Sequence, residues 1–108
     1  YLLYSSLIKA GFNVSSFGSL GIENDKFVTT ISKDSMFKAL EKILKGQQVD
    51  VVFMSCTNLR ALKHLEEFEN YFGVPIVTSN SALFWHVMHI AGKTAKCPGY
   101  GILLNYLE

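Results

Sequence analysis

The chain has 108 residues, a formal net charge of +1, and a composition that is 49% hydrophobic, 13% aromatic and 18% charged. That length holds one domain or part of one. Near-zero charge argues against nucleic acid or a polybasic membrane surface as a partner, and the apolar fraction argues against disorder.

In chain order, Tyr1 to Ala10 places Leu2, Leu3, Leu7 and Ile8 in a helical pattern that stops at Gly11. Phe12 to Phe17 reads as a short strand, Gly18 to Asp25 as a loop, and Val28 to Ser32 as extended or irregular chain. Ser32 or Asp34 can cap the next helix, which carries Met36, Phe37, Leu40, Ile43 and Leu44 on one face and ends at Gly46. Val51-Val52-Phe53-Met54 is a continuous apolar run, the pattern of a parallel strand covered on both faces. Thr57 to Phe72 is expected to be one amphipathic helix, with Leu59, Leu62, Leu65, Phe68 and Phe72 inward. Gly73 ends it, and Pro75 opens a further strand, Ile76-Val77-Thr78. Ser79 or Asn80 is then expected to cap a last helix running to Ala91 and closed by Gly92. That helix is apolar nearly all round, so it should be buried against more than one neighbour, in a lobe or a homodimer interface. Ile102-Leu103-Leu104 closes the chain as a short strand or turn.

The stretch from Asn70 to Gly92 lacks Asp, Glu, Lys and Arg. It is long enough to span a bilayer. Gly73, Pro75 and the polar block Thr78-Ser79-Asn80-Ser81 interrupt it, so no membrane role is expected. Cys56 and Cys97 are too few and too far apart for a disulfide scaffold, a zinc knuckle or a C-x-x-C motif. Reduced thiols and a cytoplasmic location are the default expectation. The chain opens on Tyr1 rather than Met, and no strand precedes its first helix, which reads as a portion of a larger protein.

Helices alternating with short strands predict an α/β fold with a parallel sheet, in which ligands bind beyond the carboxyl ends of the strands. Ser55-Cys56-Thr57-Asn58 and Thr78-Ser79-Asn80 occupy that position. A thiol between a strand and a helix N-terminus is biased toward thiolate, and the same N–H groups can seat a carboxylate. Ser55, Thr57 and Asn58 add neutral hydrogen-bonding partners. Together they suit proton transfer at a carbon beside a carboxylate. The residues fit equally an inert buried Cys56 next to a simple N-cap. Ser79 and Asn80 fit either a helix cap or a binding role. His86 and His89 share a helix face without a third ligand, so no metal site is expected, and His64 falls among charged, solvated positions. Cys97 reads as incidental. No glycine-rich phosphate loop is present, so no nucleotide cofactor is expected.

Asp50-Val-Val-Phe-Met-Ser-Cys-Thr-Asn-Leu-Arg60, Leu65-Glu-Glu-Phe-Glu69 and Gly73-Val-Pro-Ile-Val-Thr-Ser-Asn-Ser-Ala-Leu-Phe-Trp-His86 resemble the second half of maleate cis–trans isomerases. These form a branch of the aspartate/glutamate racemase superfamily, which also contains arylmalonate decarboxylase. Gly99-Tyr-Gly-Ile-Leu-Leu104 resembles the way those proteins end. The resemblance implies a three-layer Rossmann-like lobe, one of two similar lobes facing each other across a cleft, acting without a cofactor. Residues 1–92 would be the second lobe, lacking its first strand, and 93–108 a segment returning toward the first lobe. Cys56 would be the second lobe's acid/base thiol, facing a cysteine of the missing N-terminal lobe. Asn24 would match a substrate-contacting asparagine. Ser55, Thr57, Asn58, Ser79 and Asn80 complete the candidate substrate site. The substrate would be a small carboxylic or dicarboxylic acid. The block S-C-T-N, against S-C-G-G in the decarboxylase, favours an isomerase or racemase. Position 81 is Ser where the isomerases often have Gln. The alternatives are an arylmalonate-type decarboxylase, with one cysteine as proton donor, and a non-catalytic small-acid binding or assembly domain. A cleft with one wall cannot exclude water or supply the opposing group. The isolated 108-residue segment should therefore not turn over maleate, aspartate, glutamate or phenylmalonate, and measurable turnover would contradict this.

Overall fold

The computed structural model describes residues 2–18, 31–55, 60–93 and 96–106. Helix α1 spans Leu2–Lys9. Its end is tied by the Gly11 and Phe12 amides, which donate to the Ile8 and Leu7 carbonyls, and Gly11 turns the chain at φ +96°. Residues 12–18 do not form the expected strand. A strand needs a ladder partner, and none of the described residues lies beside them in one. The segment is held instead by the Ser16 hydroxyl, which donates to the Ile43 carbonyl at 3.0 Å, and by the edge contact of Tyr4 and Phe17.

Helix α2, Lys33–Leu44, is capped by Ser32, whose hydroxyl accepts from the Ser35 amide. Of the two residues expected to cap this helix, Ser32 does so and Asp34 sits in the first turn, where a negative charge favours the helix dipole. Helix α3 spans Leu65–Phe72, preceded by a 3-10 turn at Leu62–His64. The single helix expected over 57–72 is therefore not continuous: Arg60 and Ala61 are not helical, and Thr57 to Leu59 lie outside the described residues. Neither Ala61 nor His64, which stand at the starts of the two pieces, makes a side-chain cap bond. Gly73 closes α3 in the left-handed region at φ +68°, its amide donating to the Glu69 carbonyl.

Strands β1, Val52–Met54, and β2, Ile76–Thr78, pair in parallel with Val52 opposite Ile76 and Met54 opposite Thr78. Helix α4, Ser79–Ile90, follows β2 without a connecting loop. A second 3-10 turn, Ile102–Asn105, packs on α4 and β2. The core joins Met36 and Leu40 of α2, Ala61 just ahead of the 3-10 turn, Leu65 and Phe68 of α3, and Ile76 of β2. Val52 and Met54 pack against this cluster, whereas Val51 and Phe53 are exposed. Only one face of β1 is thus covered by the described chain, not both as the apolar run suggests. Helix α4 is likewise covered only in part by the described residues. Ser81 is its one buried residue, while Leu83, Phe84, Val87 and Ile90 are exposed, Ile90 at 71%. Among the described residues, nothing covers that face.

Phe68 is 1% exposed and stacks near Phe37 and His64. Truncating it leaves a void that the surrounding helices and sheet cannot fully close. Phe68→Ala should lower stability by about 3–5 kcal/mol in chemical unfolding; a loss below ~1 kcal/mol would contradict this packing.

Candidate functional site

The parallel register sets the geometry. Met54 and Thr78 are partners and are the last residues of their strands, so Ser55 and Ser79 come next side by side at the same sheet edge. Neighbouring strands run about 4.8 Å apart. Ser55 is exposed there, and Ser79 and Asn80 are half-buried in the first turn of α4. The structure thus brings together Ser55, Ser79 and Asn80. Cys56, Thr57, Asn58 and Asn24 lie outside the described residues.

Neither Ser79 nor Asn80 is the helix cap. Thr78 holds that position, with its hydroxyl accepting from the Ser81 amide at 3.0 Å. Ser81 Oγ accepts from the Thr78 amide at 2.9 Å and donates back to the Thr78 carbonyl at 3.2 Å. This reciprocal pair is a capping box, with serine in the position where glutamate or glutamine is usual. Both residues are buried. The difference at position 81 therefore falls on a residue of the helix cap. Once Thr78 has taken on capping, Ser79 and Asn80 are left as the first two helical residues, at the positive end of the α4 dipole.

The helix N-terminus expected at Cys56 and Thr57 lies outside the described residues. Among the described residues after β1, Arg60 and Ala61 are not helical, a 3-10 turn begins at Leu62 and regular α-helix at Leu65. The helix N-terminus at this sheet edge among the described residues is that of α4, and an anion would be seated there.

The histidines stay outside the site. His64 is half-buried beside Phe68 and not solvated as expected. Burial and the charges of Lys63 and Lys33 push its pKa below the usual value, and Glu67 partly opposes them. His86 is exposed, and His89 stacks flat on Trp85 with ring centroids 5.0 Å apart. Among the described residues, no group of three His, Cys, Asp or Glu side chains could hold a metal ion. No described helix is long and apolar enough to cross a membrane. A cleft of about 600 Å³ lined by Gln47, Gln48, Asp50 and Gly73 opens at the other end of the strands, away from the candidate residues.

Sequence reasoning missed Glu69, which is buried and accepts hydrogen bonds from the amides of Ile76 and Ile102. A signal was present: Glu69 stands four residues after Leu65, on the apolar face of α3. The Thr78–Ser81 box left a weaker one, since serine at its fourth position departs from the usual pattern.

Replacing Thr78 by Val keeps the shape and removes the acceptor for the Ser81 amide. Thr78→Val should destabilise the protein by about 1–2 kcal/mol, read by thermal or chemical unfolding. Unchanged stability would remove the cap from the account.

The family model for arylmalonate decarboxylase matches residues 2–104. The chain is 35% identical over 107 residues to arylmalonate decarboxylase of Bordetella bronchiseptica, covering 97% of this chain and 42% of that protein. A crystal structure of arylmalonate decarboxylase superposes with a TM-score of 0.82 at 29% identity, over 94% of this chain and 46% of the other. A glycine-to-cysteine variant of that enzyme in a sulfate-associated form gives a TM-score of 0.83 at 29% identity, over 94% of this chain and 45% of the other. The chain thus spans less than half the length of these relatives. Its α/β architecture agrees with theirs over 94% of this chain. The chain belongs to the arylmalonate decarboxylase family, within the aspartate/glutamate racemase-like superfamily.

Proposed function

We propose that the complete protein is a cofactor-independent enzyme acting on the carbon beside a carboxylate of a small dicarboxylic acid, with Cys56 as the thiol that moves the proton. The match to arylmalonate decarboxylase over residues 2–104 carries this reading and favours a decarboxylase. In that reaction a substituted malonate loses carbon dioxide and leaves an enediolate. The Cys56 thiol gives its proton to the enediolate carbon, and the resulting thiolate regains one from water. The negative charge develops on the remaining carboxylate. The first turn of α4, with Ser79 and Asn80, and the hydroxyl of Ser55 beside it suit the stabilisation of that charge. Asn24, Thr57 and Asn58 are assigned to the same substrate site.

A second reading is supported by the block Ser55-Cys56-Thr57-Asn58. Here the protein is an isomerase or racemase of the maleate isomerase type, and a second cysteine faces Cys56 from another lobe. In both readings residues 1–92 form one lobe of a two-lobe enzyme, and 93–108 lead back toward the other.

The test uses the complete protein with phenylmalonate, maleate, aspartate and glutamate. Phenylmalonate should be decarboxylated. Cys56→Ala should lower kcat/KM by about a hundredfold or more, as expected for loss of a positioned acid. Turnover of maleate or an amino acid, with phenylmalonate untouched, would select the second reading. Full activity of Cys56→Ala on every substrate would overturn both.

A further inference from the structure

The chain carries one motif that the proposed chemistry leaves unused, Gly99-Tyr100-Gly101. Gly101 has φ +100°, a region that side chains other than glycine rarely adopt. A Cβ there would lie 3.4 Å from the Leu65 side chain and 3.5 Å from Glu69 Oε2. At Gly99, φ +95°, a Cβ would lie 3.5 Å from Glu66 Oε2. The backbone therefore runs directly over two carboxylates of α3.

Glu69 is the inner of the two, only 6% exposed. Its Oε2 accepts from the Ile76 amide at 2.8 Å, at the start of β2. Its Oε1 and Oε2 accept from the Ile102 amide at 2.9 and 3.1 Å. Among the described residues no cation pairs with it; the ion pair of α3 is Glu67 with Lys33. The charged neighbour is Glu66, on the same helix, whereas β2 and the terminal segment bring backbone N–H groups. A buried carboxylate without a counter-ion depends on such donors. The segment is fastened further along as well. Leu104 is 2% exposed, its carbonyl accepts from the Cys97 amide at 3.0 Å, and Trp85 Nε1 donates to the Tyr106 carbonyl at 3.3 Å.

We propose that the Glu69 carboxylate is a latch that locks the strap of residues 96–106 onto β2, and that Gly101 lets the backbone reach it. The strap can then open as one unit while the core around Met36, Leu40 and Phe68 stays folded. This inference stands apart from the assignment of the catalytic reaction.

Amide hydrogen exchange on the complete protein tests it. E69Q replaces one acceptor oxygen with an NH2 donor. The Ile76 and Ile102 amides should then exchange roughly tenfold faster or more, with Met36 and Leu40 unchanged. G101A strains the strap but leaves the carboxylate, so Ile102 should speed up and Ile76 should not. Should E69Q fail to fold, G101A decides. Unchanged protection at Ile102 in either variant would overturn the latch. Equal acceleration at Met36 and Leu40 would do the same, because Glu69 would then serve the whole core and not the strap.

Discussion

Three residues of parallel pairing on each side carry the organisation of this chain. Val52–Met54 and Ile76–Thr78 run in the same direction and end at the same level. That register makes Ser55 and Ser79 neighbours and lets α4 start where β2 stops. A slip of one residue would reverse which side of the strand faces the core. The Glu69 carboxylate opposes such a slip by holding the Ile76 amide. The capping box, in which the buried Thr78 and Ser81 satisfy each other, fixes where α4 begins.

Much of this was legible in the sequence because the apolar spacing was strong. Helix α2 begins at a residue named for it, and both paired strands fall on the runs that predicted them. Residues 12–18 misled because strand character is a property of a pair, and the sequence of one segment does not contain its partner. The helix expected over 57–72 is broken at Arg60 and Ala61, and neither described piece after the break starts on a side-chain cap bond. Glu69 escaped because a carboxylate on an apolar face is buried only when backbone N–H donors meet it. Those donors come from positions 76 and 102, seven and thirty-three residues away.

The candidate site was legible in part. The strand ends pointed to Ser55, Ser79 and Asn80, and the register brings them to one edge. Their division of labour was not legible, because Thr78, Ser79 and Asn80 are all good capping residues by type. Geometry alone assigns the cap to Thr78 and leaves the other two at the mouth of the helix. The apolar faces of β1 and α4 that the described residues leave uncovered have a similar origin. Hydrophobic pattern records that a surface is to be covered, but not by which part of a polypeptide.

The central claim is that the sheet edge holding Ser55, Ser79 and Asn80 seats a carboxylate next to the Cys56 thiol. Its most direct test is the rate at which Cys56 of the complete protein is alkylated by iodoacetamide, with and without malonate. The account predicts that malonate slows alkylation of Cys56 in a saturable way while leaving Cys97 unaffected. Alkylation of Cys56 at the same rate with and without malonate would contradict it.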